Sequence, residues 1–375
     1  MKIRLKILFF TFLLFFLQTG FLHESPSPIT KVQVALVLDF SKSAEKTLEA
    51  LSKNYWEIFN DFHADLPNVR LEVALVGYSK QSFGKKSHYV KLISNFNDAP
   101  DHAFEFLATT EIGSSVSENH VGEALQLAMS KLKWDKTSNV KKQIITIGNG
   151  PINGSYALAK KVIKKANNKN IQLNCLYVTY KKDDKNHGYW LKLAEMSGGV
   201  LKNMVPNYLN GSGSDFLTAV NDRKIIEENL YIKESYVPFG DIGIYQMANL
   251  RLIEERCEEL GDRTLASRIE FKCSPYYQGK QNNWDLVERC VLLDEIGEPL
   301  RAKGVPAEMS ELTDVELETA LTVKWIERNG SASIVKSLAK ANRKTLSEFP
   351  KQPLYKNDLG KTILAVIKKS GVQLH

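Results

Sequence analysis

The residue patterns that mark several common classes of enzyme are absent from this sequence of 375 residues. It contains no phosphate-binding loop of the G-x-x-x-x-G-K-[ST] type, no dinucleotide fingerprint G-x-G-x-x-G and no zinc-protease motif H-E-x-x-H. It also lacks the G-x-S-x-G turn that presents the serine nucleophile of many hydrolases. These absences disfavour nucleotide-dependent, zinc-dependent and serine-hydrolase chemistry, and we expect a protein that is not an enzyme.

Cysteine is scarce, with four residues in the whole chain. Cys175 lies in an apolar strand pattern (I-Q-L-N-C-L-Y-V), which is typical of a buried thiol. The other three, Cys257, Cys273 and Cys290, lie in the C-terminal half without the spacing of a zinc site. Two interpretations stay open for them, either one disulfide, which an oxidising compartment would permit, or three unpaired thiols.

No tract of lysine and arginine is long enough to indicate a nucleic-acid partner. The formal net charge is +7, and +4 remains without Lys2, Arg4 and Lys6 of the extreme N-terminus. The remaining charges of both signs are mixed along the chain. We therefore expect no nucleic-acid binding.

A long hydrophobic run occurs only at the N-terminus, where residues 7–17 are almost entirely apolar and follow three positive charges. The run is too short for an ordinary membrane-spanning helix and is typical of a secretory signal peptide. We predict a signal peptide over residues 1–22, and a chain exported to the periplasm, the cell surface or the medium. The alternative is that the segment is retained as an anchor; once it is cleaved, the mature chain is not an integral membrane protein.

Apolar strand patterns alternate with helical patterns over residues 31–208, which predicts an α/β domain with a doubly wound, mostly parallel sheet. A glycine- and serine-containing linker follows at residues 209–214. From residue 214 to residue 375 the pattern is helical, and we predict a mainly α-helical C-terminal region there. These helices would either pack on the first domain, pair with each other or mediate oligomerisation.

Oxygen-bearing side chains follow the first predicted strand, where ligands of such sheets bind. The segment D-F-S-K-S places Asp39, Ser41 and Ser43 two residues apart on a tight strand-to-helix loop. Carboxylate and hydroxyl oxygens are hard ligands that suit Mg²⁺ or Ca²⁺. The alternative interpretation is that one of the serines caps the next helix.

With these residues, the chain resembles the von Willebrand factor A (vWA) fold, and D-F-S-K-S looks like the metal-ion-dependent adhesion site of that fold. The similarity is greatest to a group of bacterial exported vWA proteins whose function is undefined. It extends along nearly the whole mature chain, through A-L-V-G-Y at 74–78, V-S-E-N-H-V-G-E-A-L at 116–125, I-G-N-G-P-I-N at 147–153, the stretch from Trp190 to Gly199, Y-V-P-F-G at 236–240, N-W-D-L-V at 283–287 and residues 305–317.

Three departures from the family pattern make the adhesion site degenerate. Ser117 stands for the threonine ligand (another alignment puts Asn119 there), Asn149 stands for the second aspartate, and Lys42 replaces a loop glycine. The resemblance thus implies a metal set of Asp39, Ser41, Ser43, Ser117 and Asn149. Because a carboxylate is lost and an ammonium is gained, a weakly binding site and a vestigial site both stay open.

The resemblance implies an extracytoplasmic module for protein binding, adhesion or scaffolding, with an acidic residue of the partner filling an open metal position. No cofactor other than Mg²⁺ or Ca²⁺ is indicated. The alternative function is a hydrolytic enzyme acting on cell-wall or peptide substrates. A Ser117–His120–Asp39 triad would support that alternative, whereas the plainer interpretation of His120 is a solvated loop residue.

Overall fold

The computed structural model describes residues 29–96, 99–112, 114, 116, 118–179, 186–204, 215–277, 283–348 and 359–369. The predicted signal peptide, the predicted linker at residues 209–214 and the candidate ligand Ser117 lie outside these described residues. In the part of the chain that is described, no helix is long and apolar enough to cross a membrane.

A six-stranded sheet forms the centre of the N-terminal half, with the order β3-β2-β1-β4-β5-β6. All neighbouring strands run parallel except β3, which is antiparallel to β2 at the edge. This topology confirms the predicted doubly wound, mostly parallel sheet. The strands are β1 Lys31–Asp39, β2 Arg70–Tyr78, β3 Val90–Ser94, β4 Val140–Gly148, β5 Ile171–Val178 and β6 Leu201–Met204.

Helices cover both faces of the sheet because its central strand is apolar on both sides. Along β1, Val34 and Leu36 pack into one hydrophobic cluster, while Ala35 and Val37 pack into the other. Alternate side chains of a strand point to opposite faces, so each face needs its own helical layer. The helices of this half are α1 Glu45–Asp65, α2 Pro100–Thr109, α3 Val121–Lys131, α4 Asn153–Asn167 and α5 His187–Met196.

The described part of the C-terminal region is mainly helical, as predicted. Its long helix α11 runs without interruption through Asn329 and Gly330. The helices of this region are α6 Asp215–Glu234, α7 Gly240–Leu260, α8 Asp262–Lys272, α9 Leu286–Leu293, α10 Glu298–Arg301, α11 Asp314–Glu348 and α12 Leu359–Lys369.

The helical region packs on the α1 layer of the α/β half, which is one of the arrangements that the sequence left open. Trp56 of α1 packs against Phe271 of α8 with ring centroids 5.2 Å apart. The amide of Gln143 in β4 donates to the carbonyl of Ile367 in α12 at 2.9 Å. One hydrophobic cluster therefore contains residues from both halves, and it includes Val34 of β1 and Ile363 of α12.

All four cysteines are buried and unpaired in this structure. Burial raises the thiol pKa of Cys257 and of Cys273 to about 12 in each case. The neutral thiol is therefore the form present at physiological pH, and it packs as a small apolar side chain. Of the two interpretations that the sequence left open, the structure has the one without a disulfide.

Candidate functional site

Asp39 ends β1 at the carboxyl edge of the sheet, where the loops after β1 and β4 lie side by side. Its side chain is only 3% exposed, because β1 is the central strand between β2 and β4. The backbone N–H of Ser41 donates to Asp39 Oδ1 at 2.8 Å. This short loop-closing bond turns the chain from β1 towards α1 and fixes the carboxylate at the base of the site.

The two predicted serines connect the first loop to the loop after β4. Ser41 Oγ and Ser43 Oγ lie 2.9 Å apart, within hydrogen-bond distance. Ser43 Oγ donates to Asn149 Oδ1 at 3.1 Å. The structure thus brings together Asp39, Ser41, Ser43 and Asn149, four of the five residues predicted as metal ligands, and Ser117 is the fifth.

Asn119 connects a third loop, which precedes α3, to the same edge. Its Nδ2 donates to the carbonyl of Asn149 at 3.1 Å, and its Oδ1 accepts from the N–H of Val121 at 3.0 Å. Ser155 Oγ, in the first turn of α4, donates to the carbonyl of Asn119 at 2.6 Å. These bonds fix the position of the loop that the alternative alignment assigned to the threonine ligand.

Lys42, the residue expected to oppose a cation, turns away from the carboxylate. Its Nζ lies 2.7 Å from Glu45 on the first turn of α1, and its side chain is 65% exposed. The ammonium is therefore neutralised and hydrated, and it does not pair with Asp39. Of the two departures that disfavour a cation, only the replacement of a carboxylate by Asn149 acts within the site.

Burial raises the pKa of Asp39 from its ordinary value of 3.8 to about 6. Hydrogen bonds from Ser41 and from the backbone N–H of Asn149 favour the charged form, and they offset part of that rise. Near neutral pH the carboxylate is thus ionised but poorly solvated. Such a group gains from the approach of a positive charge.

Tyr78 and Gly148, which the sequence analysis did not assign to the site, form the packing beneath Asp39. Tyr78 is fully buried at the end of β2, and the Asp39 charge adds to burial in raising the pKa of its phenol. A methyl group on Gly148 would lie 2.2 Å from Tyr78 Oη and 3.2 Å from Asp39 Cβ. Only glycine at the end of β4 lets these two side chains pack against it.

His120 is buried at 9% exposure, so the interpretation of a solvated loop histidine is wrong. Its Nδ1 lies 3.9 Å from Glu123 Oε2, and its ring centroid lies 5.2 Å from that of Tyr89. These contacts direct the imidazole towards α3 and β3. Asp39 in turn bonds to the backbone of its own loop, so the described contacts of the two residues do not join them in a triad.

The donor set of the site is one carboxylate, two hydroxyls and one amide oxygen, all of which are hard ligands. Within the described ranges, no group of three or more His, Cys, Asp or Glu side chains could hold a metal ion. The residues present thus fit a hard divalent cation in ligand type but supply a single negative charge. A cation held by this set would be bound weakly, and it would retain affinity for a further carboxylate.

Comparison with protein-family models and with curated proteins finds no match. Among solved structures, the conserved hypothetical protein BatB from Bacteroides thetaiotaomicron is similar at 17% identity, over 46% of this chain and 90% of that chain, with a TM-score of 0.32. The SpRpn10 VWA domain is similar at 14% identity, over 46% and 88% of the two chains, with a TM-score of 0.35. Proximal thread matrix protein 1 from the mussel byssus is similar at 14% identity, over 49% and 44%, with a TM-score of 0.32. Each similarity covers less than half of this chain.

Proposed function

We propose that this chain is an exported vWA-type protein-binding module whose partner docks on the loops after β1 and β4. A weakly held divalent cation, bound by Asp39, Ser41, Ser43 and Asn149, would accept a carboxylate of the partner. The observation that carries the proposal is the convergence of these four oxygen-bearing side chains on one edge of the sheet. Export rests on the signal-like pattern of residues 1–22.

The position of the helical region supports a partner at this edge. Its described polar contacts with α1 lie between Lys53 and Asp65, in the part of the helix that is distant from the Asp39 loop. Ser41, Lys42 and Ser43, by contrast, are partly or largely exposed. Loops on a rigid α/β scaffold are where such folds carry binding residues, and this loop is accessible to a macromolecule.

The cation, when bound, would supply the positive charge that attracts the carboxylate of the partner. Asp39 would provide the only charged ligand, so the affinity would fall in the weak range of about 10⁻⁴ to 10⁻³ M typical of extracellular sites. Protons compete for the same carboxylate. The affinity should therefore rise as the pH increases through the Asp39 pKa of about 6, and then level off.

Calorimetric titration of the purified protein with Mg²⁺, Ca²⁺ and Mn²⁺ tests the cation, with Asp39→Asn as the inactivating variant. Lys42→Ala is the matched control from the same loop, and it should bind like the wild type because its ammonium pairs with Glu45. Loss of binding in Asp39→Asn alone supports the site. No binding at about 10 mM metal, or equal binding by Asp39→Asn, overturns the metal-dependent part of the proposal.

The docking step has its own test. The Mn²⁺-loaded protein is titrated with a peptide that contains a single Glu, and with the same peptide carrying Gln. We expect binding of the Glu peptide only, and we expect chelation of the metal or Asp39→Asn to abolish it. If the two peptides bind equally, or if the Glu peptide binds equally well without metal, a carboxylate-directed interface is ruled out.

A further inference from the structure

The outward face of the long helix α11 is uncharged between residues 319 and 337, although it is the face most accessible to water. Eight residues of α11 are buried and define its inward side: Leu317, Leu321, Arg328, Ser331, Ala332, Val335, Ala339 and Asn342. At 3.6 residues per turn, the opposite face between residues 319 and 337 contains only threonine, valine, isoleucine, glycine and serine. Its members are Thr319, Thr322, Val323, Ile326, Gly330, Ser333, Ile334 and Ser337, and we refer to this set as the α11 stripe.

The apolar members of the stripe are well exposed. Ile326 is 63% exposed, and Val323 and Ile334 are each 47% exposed. The solvent face of an amphipathic helix ordinarily carries charged and polar side chains. An uncharged stripe of about 27 Å, the length of 19 helical residues, that exposes three aliphatic side chains is therefore typical of a surface that another helix covers.

Charges of opposite sign stand at the two ends of the same face. Glu316 lies one turn before the stripe and is exposed, and it uses Oε2 to accept bonds from Thr313. Lys340 and Lys344 continue the face beyond Ser337. The face is thus acidic at its N-terminal end and basic at its C-terminal end, so it is complementary to itself when reversed.

We propose that the α11 stripe binds the same stripe of a second copy of this chain, with the two helices antiparallel. A two-fold axis between Arg328 and Asn329 places Val323 opposite Ile334 of the second copy. It also places Glu316 next to Lys340 and Lys344 of the second copy. A parallel pair would instead oppose Glu316 to Glu316, which is repulsive.

Gly330 leaves space for the Ile326 side chain of the second copy near the centre of the proposed contact. A Cβ on Gly330 would meet no atom within 4 Å, so the space above its backbone is open. In the antiparallel register, Ile326 of the second copy lies over Gly330. A small residue there lets the two backbones approach closely, as at other tight helix–helix contacts. The contact is isologous, because each copy contributes the same surface.

Sedimentation velocity of the full chain, from about 1 µM to about 200 µM, tests the dimer. A single-helix contact buries less than about 1,200 Å² in total, so we expect a reversible dimer with a micromolar Kd. Ile326→Lys should weaken it at least ~10-fold, since it places two ammonium groups at the centre of the contact. Ile244→Lys on α7 is the matched control, because Ile244 is 67% exposed and lies outside the stripe; it should leave the Kd unchanged.

Charge reversal tests the orientation of the two helices. Glu316→Lys should weaken the dimer, and the combined variant Glu316→Lys, Lys340→Glu, Lys344→Glu should restore it. A chain that stays monomeric at the highest concentration, or a dimer that Ile326→Lys leaves intact, overturns the proposal. Failure of the combined variant to restore the dimer overturns the antiparallel register. Circular dichroism checks that each variant is folded, as expected for substitutions at exposed positions.

Discussion

At the scale of single residues, Asp39 is a buried carboxylate, and burial disfavours its charged form. It is 3% exposed, and burial raises its pKa to about 6. The folded state therefore binds a proton at Asp39 more tightly than the unfolded chain does. The free energy of unfolding must fall as the pH rises from about 4 to about 6, and no further change from this group follows above that range.

Asp39→Asn removes this penalty and should make the protein more stable near neutral pH. A pKa difference of about two units corresponds to ~3 kcal/mol, which is the largest gain expected at pH 7.5 in metal-free buffer. Well below pH 3.8, the ordinary pKa of an aspartate, the wild-type carboxyl is protonated in both states, so the two proteins should unfold alike. Urea unfolding in the presence of a chelator measures the difference at each pH. A difference that stays constant across this range would show that the charge of Asp39 is not its cause.

Some residues of the site can be recognised from the sequence, whereas others become apparent only from the packing of the folded structure. Asp39, Ser41 and Ser43 could be predicted because they follow an apolar strand directly, and Asn149 because the resemblance to the vWA family pattern assigned it. Tyr78 and Gly148 were missed, since their role is a close approach beneath the carboxylate. The outward turn of Lys42 towards Glu45 was equally invisible, because a side-chain direction depends on a partner one turn along a helix.

At the scale of elements, a buried ion pair joins the helices of the C-terminal region. Arg328 of α11 donates from Nη1 to Asp285 Oδ2 at 2.8 Å, and from Nε and Nη2 to Ser235 at the end of α6. Asp285 also accepts from the N–H groups of Val237 and Val287, so it caps α9 while holding the segment after α6. The Arg328 guanidinium thus connects α11 to the segment after α6 and to the start of α9.

Arg328→Met should destabilise the protein by about 3–5 kcal/mol, because it leaves the Asp285 carboxylate buried without its cation. Chemical unfolding followed by circular dichroism measures this loss. Arg256→Met is the comparison on α7, where Arg256 pairs with Glu259 on the surface. That variant should unfold like the wild type, because exposed pairs contribute little. Equal effects of the two substitutions would contradict a special role for the buried pair.

Sequence periodicity predicted most of the strands and helices but missed strand β6 and helix α2. The four central strands have apolar patterns longer than four residues, and most helices have apolar patterns longer than one turn. These patterns could be recognised in the sequence. Strand β6 was missed because its burial alternates irregularly over the four residues of Leu201–Met204. Helix α2, Pro100–Thr109, was missed although Pro100 stands at its first position, where proline is favoured.

At the scale of the whole molecule, the two halves differ in secondary structure but share one large hydrophobic cluster. Arg268 of α8 is fully buried between them, 2.9 Å from Asp101 Oδ1 at the start of α2. Its guanidinium lies 4.4 Å from the ring of Trp56 in α1 and 4.9 Å from that of Tyr277. The predicted division at residues 208–214 marks a change of secondary structure, and the core continues across it.

A shared core implies that the halves unfold together. Differential scanning calorimetry should show one transition, with equal calorimetric and van't Hoff enthalpies. Arg268→Met should lower the midpoint temperature of this single transition, because the substitution leaves the Asp101 carboxylate without its cation in the shared interior. The transition should remain single. Two resolved transitions, in the wild type or in the variant, would show instead that the helical region unfolds independently of the α/β half. The loops at the Asp39 edge would then have to hold their geometry without support from the C-terminal helices.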